Sequence, residues 1–321
     1  MSAESGPSTE WTRQRERSNL LALTLMRWIA MALGRRVARG VLHPITLYFL
    51  LTGGAASRAS RQYLTQVLGR PPRWAERYRH VHHFAATILD RVYLLQRRYE
   101  AFEITVTNPH LLLDQVRAGR GAMLAGAHIG SFEVLRSLGE DMKDLRVAML
   151  MFEDNARQIN ATLRAIAPDT PLHVIALGRM SAMLELRAWL DSNGVAGLLA
   201  DRTLRAPGTT AMQRGGVHRL NFLGQPASFS DGPFRLAMML RRPLLFMAGL
   251  YHGAHRYELR FLEIADFSQR PTDGATSEVV LQRAVQRYVE ILEGICHETP
   301  HNWFNFFDFW ADDDADTSPQ T

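Results

Sequence analysis

A histidine and a glutamate five positions apart give this chain its clearest capacity for chemistry. His128 follows a run of small apolar residues typical of a buried strand, and Glu133 falls in the first turn of the helix predicted next. Gly130 between them permits a tight turn. A carboxylate that folds back to one imidazole nitrogen leaves the other free to take a proton from a hydroxyl or amine. The spacing indicates a general base without a protein nucleophile, although a structural histidine and a helix-end glutamate fit it too.

The segment 128–133 resembles the H-x-x-x-x-[DE] motif of the lysophospholipid acyltransferase superfamily. It is most similar to the bacterial lipid A (late) acyltransferase branch, because further blocks match in the same order. These blocks are a strand that ends in Asp201-Arg202, the F-x-G-x-x-A block within 222–233, and the strand within 244–249. The likeness covers about residues 20–310. The aromatic stretch 302–310 is similar to relatives associated with aryl-polyene pigment and unusual lipid pathways.

This resemblance implies an acyltransferase that moves a fatty acyl or aryl-polyene acyl group from an acyl carrier protein or CoA thioester. The acceptor would be a hydroxyl or amine of a lipid-type molecule, with His128 as general base and Glu133 orienting it. Arg202 is expected to contact a phosphate, which suits its planar cation, or else to pair with Asp201. Substrate contacts are expected from Ser131, Asp201, Arg202, Phe222, Gly224 and Ser230. The thioester is a co-substrate, so the expectation includes neither a resident cofactor nor a metal.

The charge of the chain is unevenly placed. Residues 1–80 contain 13 arginines and 4 glutamates, whereas the rest of the chain is mildly acidic. Two apolar runs, at 20–33 and 41–51, flank a cluster of arginines. Both are shorter than the roughly 20 residues that cross a bilayer, so they predict helices that lie in a membrane interface. Arg27, Arg35, Arg36 and Arg39 would then reach lipid phosphates. Ordinary core helices of a soluble domain are the alternative.

From residue 101 onward, short apolar runs alternate with helical patterns. Strands are predicted at 102–106, 121–128, 145–151, 173–177, 195–200, 244–251 and 257–264. This alternation predicts an α/β fold with a mixed, mostly parallel central sheet flanked by helices. The predicted organisation is a disordered N-terminus (1–18), a helical membrane-associating region (19–100), an α/β acyltransferase domain (101–310) and an acidic disordered tail (311–321).

Composition and missing motifs limit other functions. The single lysine, Lys143, lies in a polar turn-like stretch, and no P-loop is present. The single cysteine, Cys296, excludes an intramolecular disulfide and a cysteine zinc site. His80 and His83 are three apart on a predicted helix, a spacing more typical of a helix face than of a metal site.

Four other functions were compared with the sequence, and three of them lack the features that they require. A serine hydrolase lacks its G-x-S-x-G elbow, and a metal-dependent hydrolase lacks H-E-x-x-H. Binding of nucleic acid would not require the apolar runs that flank the arginine cluster, and the sequence contains no nucleic-acid recognition motif. A non-catalytic lipid-binding protein at the membrane surface is the main alternative. The expected partners are therefore a thioester donor, a lipid acceptor and a membrane surface, at the cytoplasmic face of a bacterial inner membrane.

Overall fold

In the part of the chain that the structure describes, seven strands form a mixed sheet at the centre of the protein. The computed structural model describes residues 32, 34–138, 145–152, 173–178, 180–202, 216–269, 271 and 273–310. The strands of the sheet are β1 (Glu103–Thr107), β2 (Ala122–Gly126), β3 (Val147–Phe152), β4 (His173–Leu177), β5 (Val195–Leu199), β8 (Pro243–Tyr251) and β9 (Arg256–Asp266). Their order is β1-β9-β8-β2-β5-β3-β4. The five strands from β8 to β4 run parallel, whereas β9 and β1 run the opposite way.

Helices cover both faces of this sheet. They are α1 (34–52), α2 (Gly54–Leu68), α3 (Trp74–Leu95), α4 (His110–Arg117), α5 (Met180–Asp191), α6 (Gly232–Met239) and α7 (Ser277–Glu298). Alternate residues of β2 enter different cores: Met123 packs with residues of α2, α5 and α7, and Leu124 packs with residues of α1, α3 and α4. All of β2 and β8 is buried, as expected for strands with helices on both sides. The predicted α/β fold with a mostly parallel mixed sheet is confirmed.

The region before the sheet is helical and packs on the same cores. α1 continues through Pro44 and buries a stripe of residues four apart, Ala38, Leu42, Thr46 and Leu50. Its N-terminal end is held by Asp90 of α3, which is fully buried and accepts two hydrogen bonds from Arg35, at 2.8 and 2.9 Å. Arg39 lies 3.5 Å from the same carboxylate. Arg35 and Arg39, predicted to reach lipid phosphates, therefore bind inside the protein, because a buried carboxylate requires their charge.

The sequence did not predict one hairpin or the type of one helix. The F-x-G-x-x-A block contains the end of β6 (Val217–Phe222), a turn at Leu223 and Gly224, and the start of β7 (Gln225–Ser230), and this hairpin precedes the helix α6. The helix expected after His128 is a 3-10 helix, Phe132–Ser137. Several predicted features lie outside the described residues. These are the run 20–33 apart from residue 32, Arg27, Lys143, and the terminal segments 1–18 and 311–321.

No described helix combines the length and the apolar character that crossing a membrane requires.

Candidate active site

Strand register brings His128 and Asp201 together. β2 and β5 are parallel neighbours in which Gly126 pairs with Leu199. His128 and Asp201 each lie two residues beyond these partners, so both side chains emerge at the carboxyl edge of the sheet. Ligands of α/β proteins bind at this edge.

Asp201 holds His128 by two hydrogen bonds. Nδ1 of His128 donates to Oδ1 of Asp201 at 2.8 Å, and the backbone N–H of His128 donates to Oδ2 at 3.0 Å. A carboxylate only accepts, so the proton of a neutral imidazole lies on Nδ1 and the lone pair lies on Nε2. No other described residue forms a hydrogen bond with this imidazole. The His128 side chain is 29% exposed, so a ligand can approach it.

Asp201 is charged although it is buried. Burial raises the pKa of Asp201, but the imidazole of His128 and the N–H groups of His128 and Trp303 lower it more, to about 2. The indole Nε1 of Trp303 donates to Oδ2 at 2.9 Å. The site therefore places an ionised carboxylate behind an imidazole, which stabilises the imidazolium that forms when Nε2 takes a proton.

Glu133 does not bind His128 in this structure, which corrects the prediction that it orients the imidazole. Its side chain is 5% exposed and lies 2.8 Å from Nε of Arg91 on α3. That contact is an ion pair by distance, although the Nε–H does not point along the line to the oxygen. The other oxygen of Glu133 accepts from the hydroxyl of Ser131 at 2.9 Å. The turn after Gly130 thus directs Glu133 to α3.

The backbone around His128 is fixed from two sides. Ser131 N donates to Gly249 O of β8 at 2.8 Å, and Gly130 N donates to Asn302 O at 3.0 Å. Phe304 N donates to His128 O at 2.7 Å. These bonds hold the loop between β8 and the C-terminal segment 302–305, whose four residues are buried. The backbone of this segment thus holds the loop that carries His128, a contact that its aromatic composition alone did not indicate.

The remaining predicted residues lie at different depths. Ser131 is buried within the loop after His128, and Arg202 is exposed with its guanidinium 4.8 Å from the ring centre of Phe307. Phe222 is fully buried, with its ring centre 5.3 Å from that of Trp303, so it packs directly behind the site. Gly224 lies in the hairpin turn, and Ser230 lies before α6, where its hydroxyl accepts from Gly232 N. The structure thus brings Asp201 to His128, with Phe222 one layer behind.

One cluster offers the residue types of a metal site. Ligand atoms of His218, Asp231 and Glu278 lie within 4.8 Å of one another. Arg235 donates to both carboxylates, at 2.8 Å to Asp231 and 3.1 Å to Glu278. Its guanidinium already supplies the positive charge that a cation would bring, so the cluster is an ion-pair network.

No family model matches this chain, and no curated protein matches it.

Proposed function

We propose that this protein is an acyltransferase in which His128 is the general base and Asp201 orients it. The observation that carries the proposal is the buried, ionised carboxylate on Nδ1 of a partly exposed histidine at the carboxyl edge of the sheet. The donor is an acyl carrier protein or CoA thioester, and the acceptor is a lipid-type hydroxyl or amine. The motif resemblance supports the acyl-thioester class, and the dyad supplies the base that this class requires.

The reaction needs only this base. Nε2 of His128 takes the proton of the acceptor O–H or N–H while the acceptor atom attacks the thioester carbonyl carbon. The tetrahedral intermediate then collapses with cleavage of the C–S bond, and the departing sulfur takes the proton from Nε2. Asp201 stays ionised throughout and stabilises the imidazolium between the two proton transfers. Arg202, exposed and next in the chain to Asp201, would bind a phosphate of either substrate.

The proposed location is the cytoplasmic face of a bacterial inner membrane. Large apolar side chains of α1 point away from the protein, with Tyr48 62%, Phe49 56% and Leu51 71% exposed. Arg73, an exposed arginine just before α3, suits an anionic lipid surface. A lipid acceptor would then reach the site without leaving the membrane.

The test is acyl transfer by the purified full-length chain. Detergent-purified protein is incubated with a panel of acyl carrier protein thioesters and total inner-membrane lipid, and new acylated species are followed by mass spectrometry. We expect His128→Ala to lose about 100-fold or more, and Asp201→Asn to lose on the order of 10² to 10⁴-fold because it alters the tautomer. Folding of each variant is checked by circular dichroism.

His252→Gln is the matched control. His252 follows β8 at the same sheet edge and pairs with Glu258 at 3.2 Å, but its pair is at the surface. We expect this variant to keep wild-type activity. Full activity of folded His128→Ala would rule out the proposed base. Absence of transfer by the wild type with every donor, together with binding of lipid, would favour the non-catalytic lipid-binding alternative.

A further inference from the structure

Trp303 is the one residue of the C-terminal segment whose side chain bonds to Asp201. Its indole is 1% exposed and donates to Oδ2 at 2.9 Å. Oδ2 has only one other donor among the described residues, the backbone N–H of His128. The two donors on Oδ2 fix the plane of the carboxylate, and this plane directs Oδ1 to the imidazole of His128.

The backbone of Trp303 is fixed as well. It forms an isolated antiparallel bridge with Ile129, next to His128. Its carbonyl accepts a hydrogen bond from Nε2 of His80 at 2.7 Å. A carbonyl cannot donate, so His80 carries its proton on Nε2, and Nδ1 then accepts from the hydroxyl of Ser60 at 2.7 Å.

His80 is fully buried, and its bonds join the helical region to the site. Ser60 is on α2, His80 is on α3, Trp303 is in the C-terminal segment, and Asp201 follows β5. Hydrogen bonds thus lead from Ser60 through His80 and Trp303 to Asp201 and His128. A buried histidine that only filled space would leave its two ring nitrogens without hydrogen-bond partners, which is unfavourable. His80 has a partner on both nitrogens.

We propose that Trp303 is a positioning residue for the Asp201–His128 pair, and that His80 acts through Trp303 by holding its backbone. The inference rests on the proposed function and deepens it, because it assigns the control of the base to two residues outside the H-x-x-x-x-E motif. Without the indole N–H, the Asp201 carboxylate rotates and the imidazole no longer has one fixed orientation. Neither residue touches substrate.

Trp303→Phe separates this role from packing. The ring contacts of Trp303 are apolar, with centroids of Tyr63 and Phe309 each at 4.9 Å, and a phenyl ring keeps most of them. Trp310→Phe is the matched control, because Trp310 packs in the same aromatic cluster and donates to Phe222 O at 3.4 Å. Both variants remove one indole N–H, but only Trp303 bonds to Asp201.

The first readout requires no substrate. Proton NMR of histidine-labelled protein detects the proton between His128 Nδ1 and Asp201 Oδ1 as a low-field resonance, assigned by its loss in Asp201→Asn. We expect the resonance in the wild type and in Trp310→Phe, and its loss or exchange broadening in Trp303→Phe. An unchanged resonance in Trp303→Phe would overturn the proposal.

The second readout is kinetic. We expect Trp303→Phe to lower kcat about tenfold to a hundredfold with KM within about twofold, because the indole acts on the base and not on binding. His80→Gln keeps a donor at the position of Nε2 and should retain most of the activity, whereas His80→Asn should lose it to the level of Trp303→Phe. Equal kcat for the Gln and Asn variants, at equal urea midpoints, would remove His80 from the proposal.

The two proposals fail differently. If the wild type transfers no acyl group but the resonance responds to Trp303→Phe, the acyltransferase assignment fails and the positioning role stands. If the wild type is active and loses activity with His128→Ala, but Trp303→Phe changes neither resonance nor kcat, only the positioning role fails.

Discussion

His128 has one carboxylate at its Nδ1 and another five residues along the chain, and the two serve different purposes. Asp201 is buried with three N–H donors, so its charge is stabilised where the imidazole needs it. Glu133 is nearly as buried, but its carboxylate forms an ion pair with Arg91. A residue that orients a base must be within hydrogen-bond distance of it, and only Asp201 meets this condition.

Replacement of Glu133 by Gln tests this division of roles. We expect the free energy of unfolding to fall by about 1–3 kcal/mol, since Arg91 loses its charged partner while the hydrogen bond from Ser131 remains. The kcat of the folded variant should fall far less than that of Asp201→Asn. Urea unfolding and the acyl-transfer assay measure the two effects. A larger loss of kcat in Glu133→Gln than in Asp201→Asn would restore Glu133 as the orienting residue.

The sequence could predict His128 but not its partner. A small-residue strand before a histidine and a glycine after it are local signals, and both strands that end at the site were predicted near their observed bounds. The pairing of His128 with Asp201 requires that β2 and β5 are neighbours in the sheet. No local sequence pattern predicts the order of strands in a sheet. The local pattern around His80 did not indicate its hydrogen bonds for the same reason, because its two partners lie 20 and 223 residues away.

At the level of elements, the loop after His128 is set by a close crossing with β8. Gly130 has φ +55°, and a Cβ there would lie 1.9 Å from the carbonyl oxygen of Gly249. A Cβ on Gly249 would lie 2.0 Å from the carbonyl oxygen of Ser131. Two glycines thus allow the loop to bond directly to the β8 backbone, which fixes the height of His128 above the sheet.

A methyl group at Gly249 should displace this loop. We expect Gly249→Ala to reduce the free energy of unfolding by about 3 kcal/mol, and to lower kcat at least tenfold because the base moves from its position. The control is Gly294→Ala, in an open position of α7, which should stabilise the protein by about 0.5–1 kcal/mol. Thermal unfolding and the transfer assay check both. Wild-type stability and kcat in Gly249→Ala would mean that the loop and β8 do not approach each other as closely as in the structure.

The sequence predicted strands better than the elements around them. Strands such as β8 are continuous apolar runs, so their position followed from composition. The hairpin of β6 and β7 was not predicted because its two strands, VHRLNF and QPASFS, contain few apolar residues and no continuous apolar run. The helix predicted after His128 is a 3-10 helix, and the sequence does not distinguish the two types because both periods fit a segment of six residues.

At the level of the whole molecule, a group of histidines makes the fold sensitive to acid. Burial is the largest cause that lowers the pKa of His80 to about 4, of His82 to about 4 and of His83 to about 3. Repulsion from neighbouring histidines contributes in each case. The folded protein therefore keeps these rings neutral at a pH where the unfolded chain protonates them. Their contribution to stability is complete above pH 6.5 and is lost as the pH falls towards 4.

The lowered pKa values of these histidines predict a steep loss of folding stability between pH 6.5 and 4.5, where most carboxylates are still ionised. For His80 alone the loss approaches about 3 kcal/mol at pH 4. Urea unfolding at a series of pH values should show proton uptake on unfolding, and His80→Gln should reduce that uptake by about one proton. The same uptake in the variant would mean that His80 is protonated in the folded protein.

The helical pair α1 and α3 has one apolar, exposed end. α1 and α3 run antiparallel, because Arg35 bonds to Asp90 and His43 bonds to Tyr78. The exposed residues at 47–51 therefore lie towards the beginning of α3, where Trp74 is 55% exposed. Asp90 clamps the opposite end of α1 to the protein. The pair thus has one end fixed in the fold and one end with aromatic and aliphatic side chains, which suits shallow insertion into lipid.

Replacing Tyr48, Phe49 and Leu51 together by Ser should weaken binding to vesicles that contain anionic lipid by about tenfold or more, since each apolar side chain loses its burial in the acyl region. The unfolding midpoint should change little, because these side chains contact solvent in the protein itself. Replacing the exposed Leu184 of α5 by Ser is the control, since it removes a similar apolar area elsewhere. Vesicle sedimentation measures the binding, and an equal loss in both variants would mean that the end of α1 is not the membrane contact.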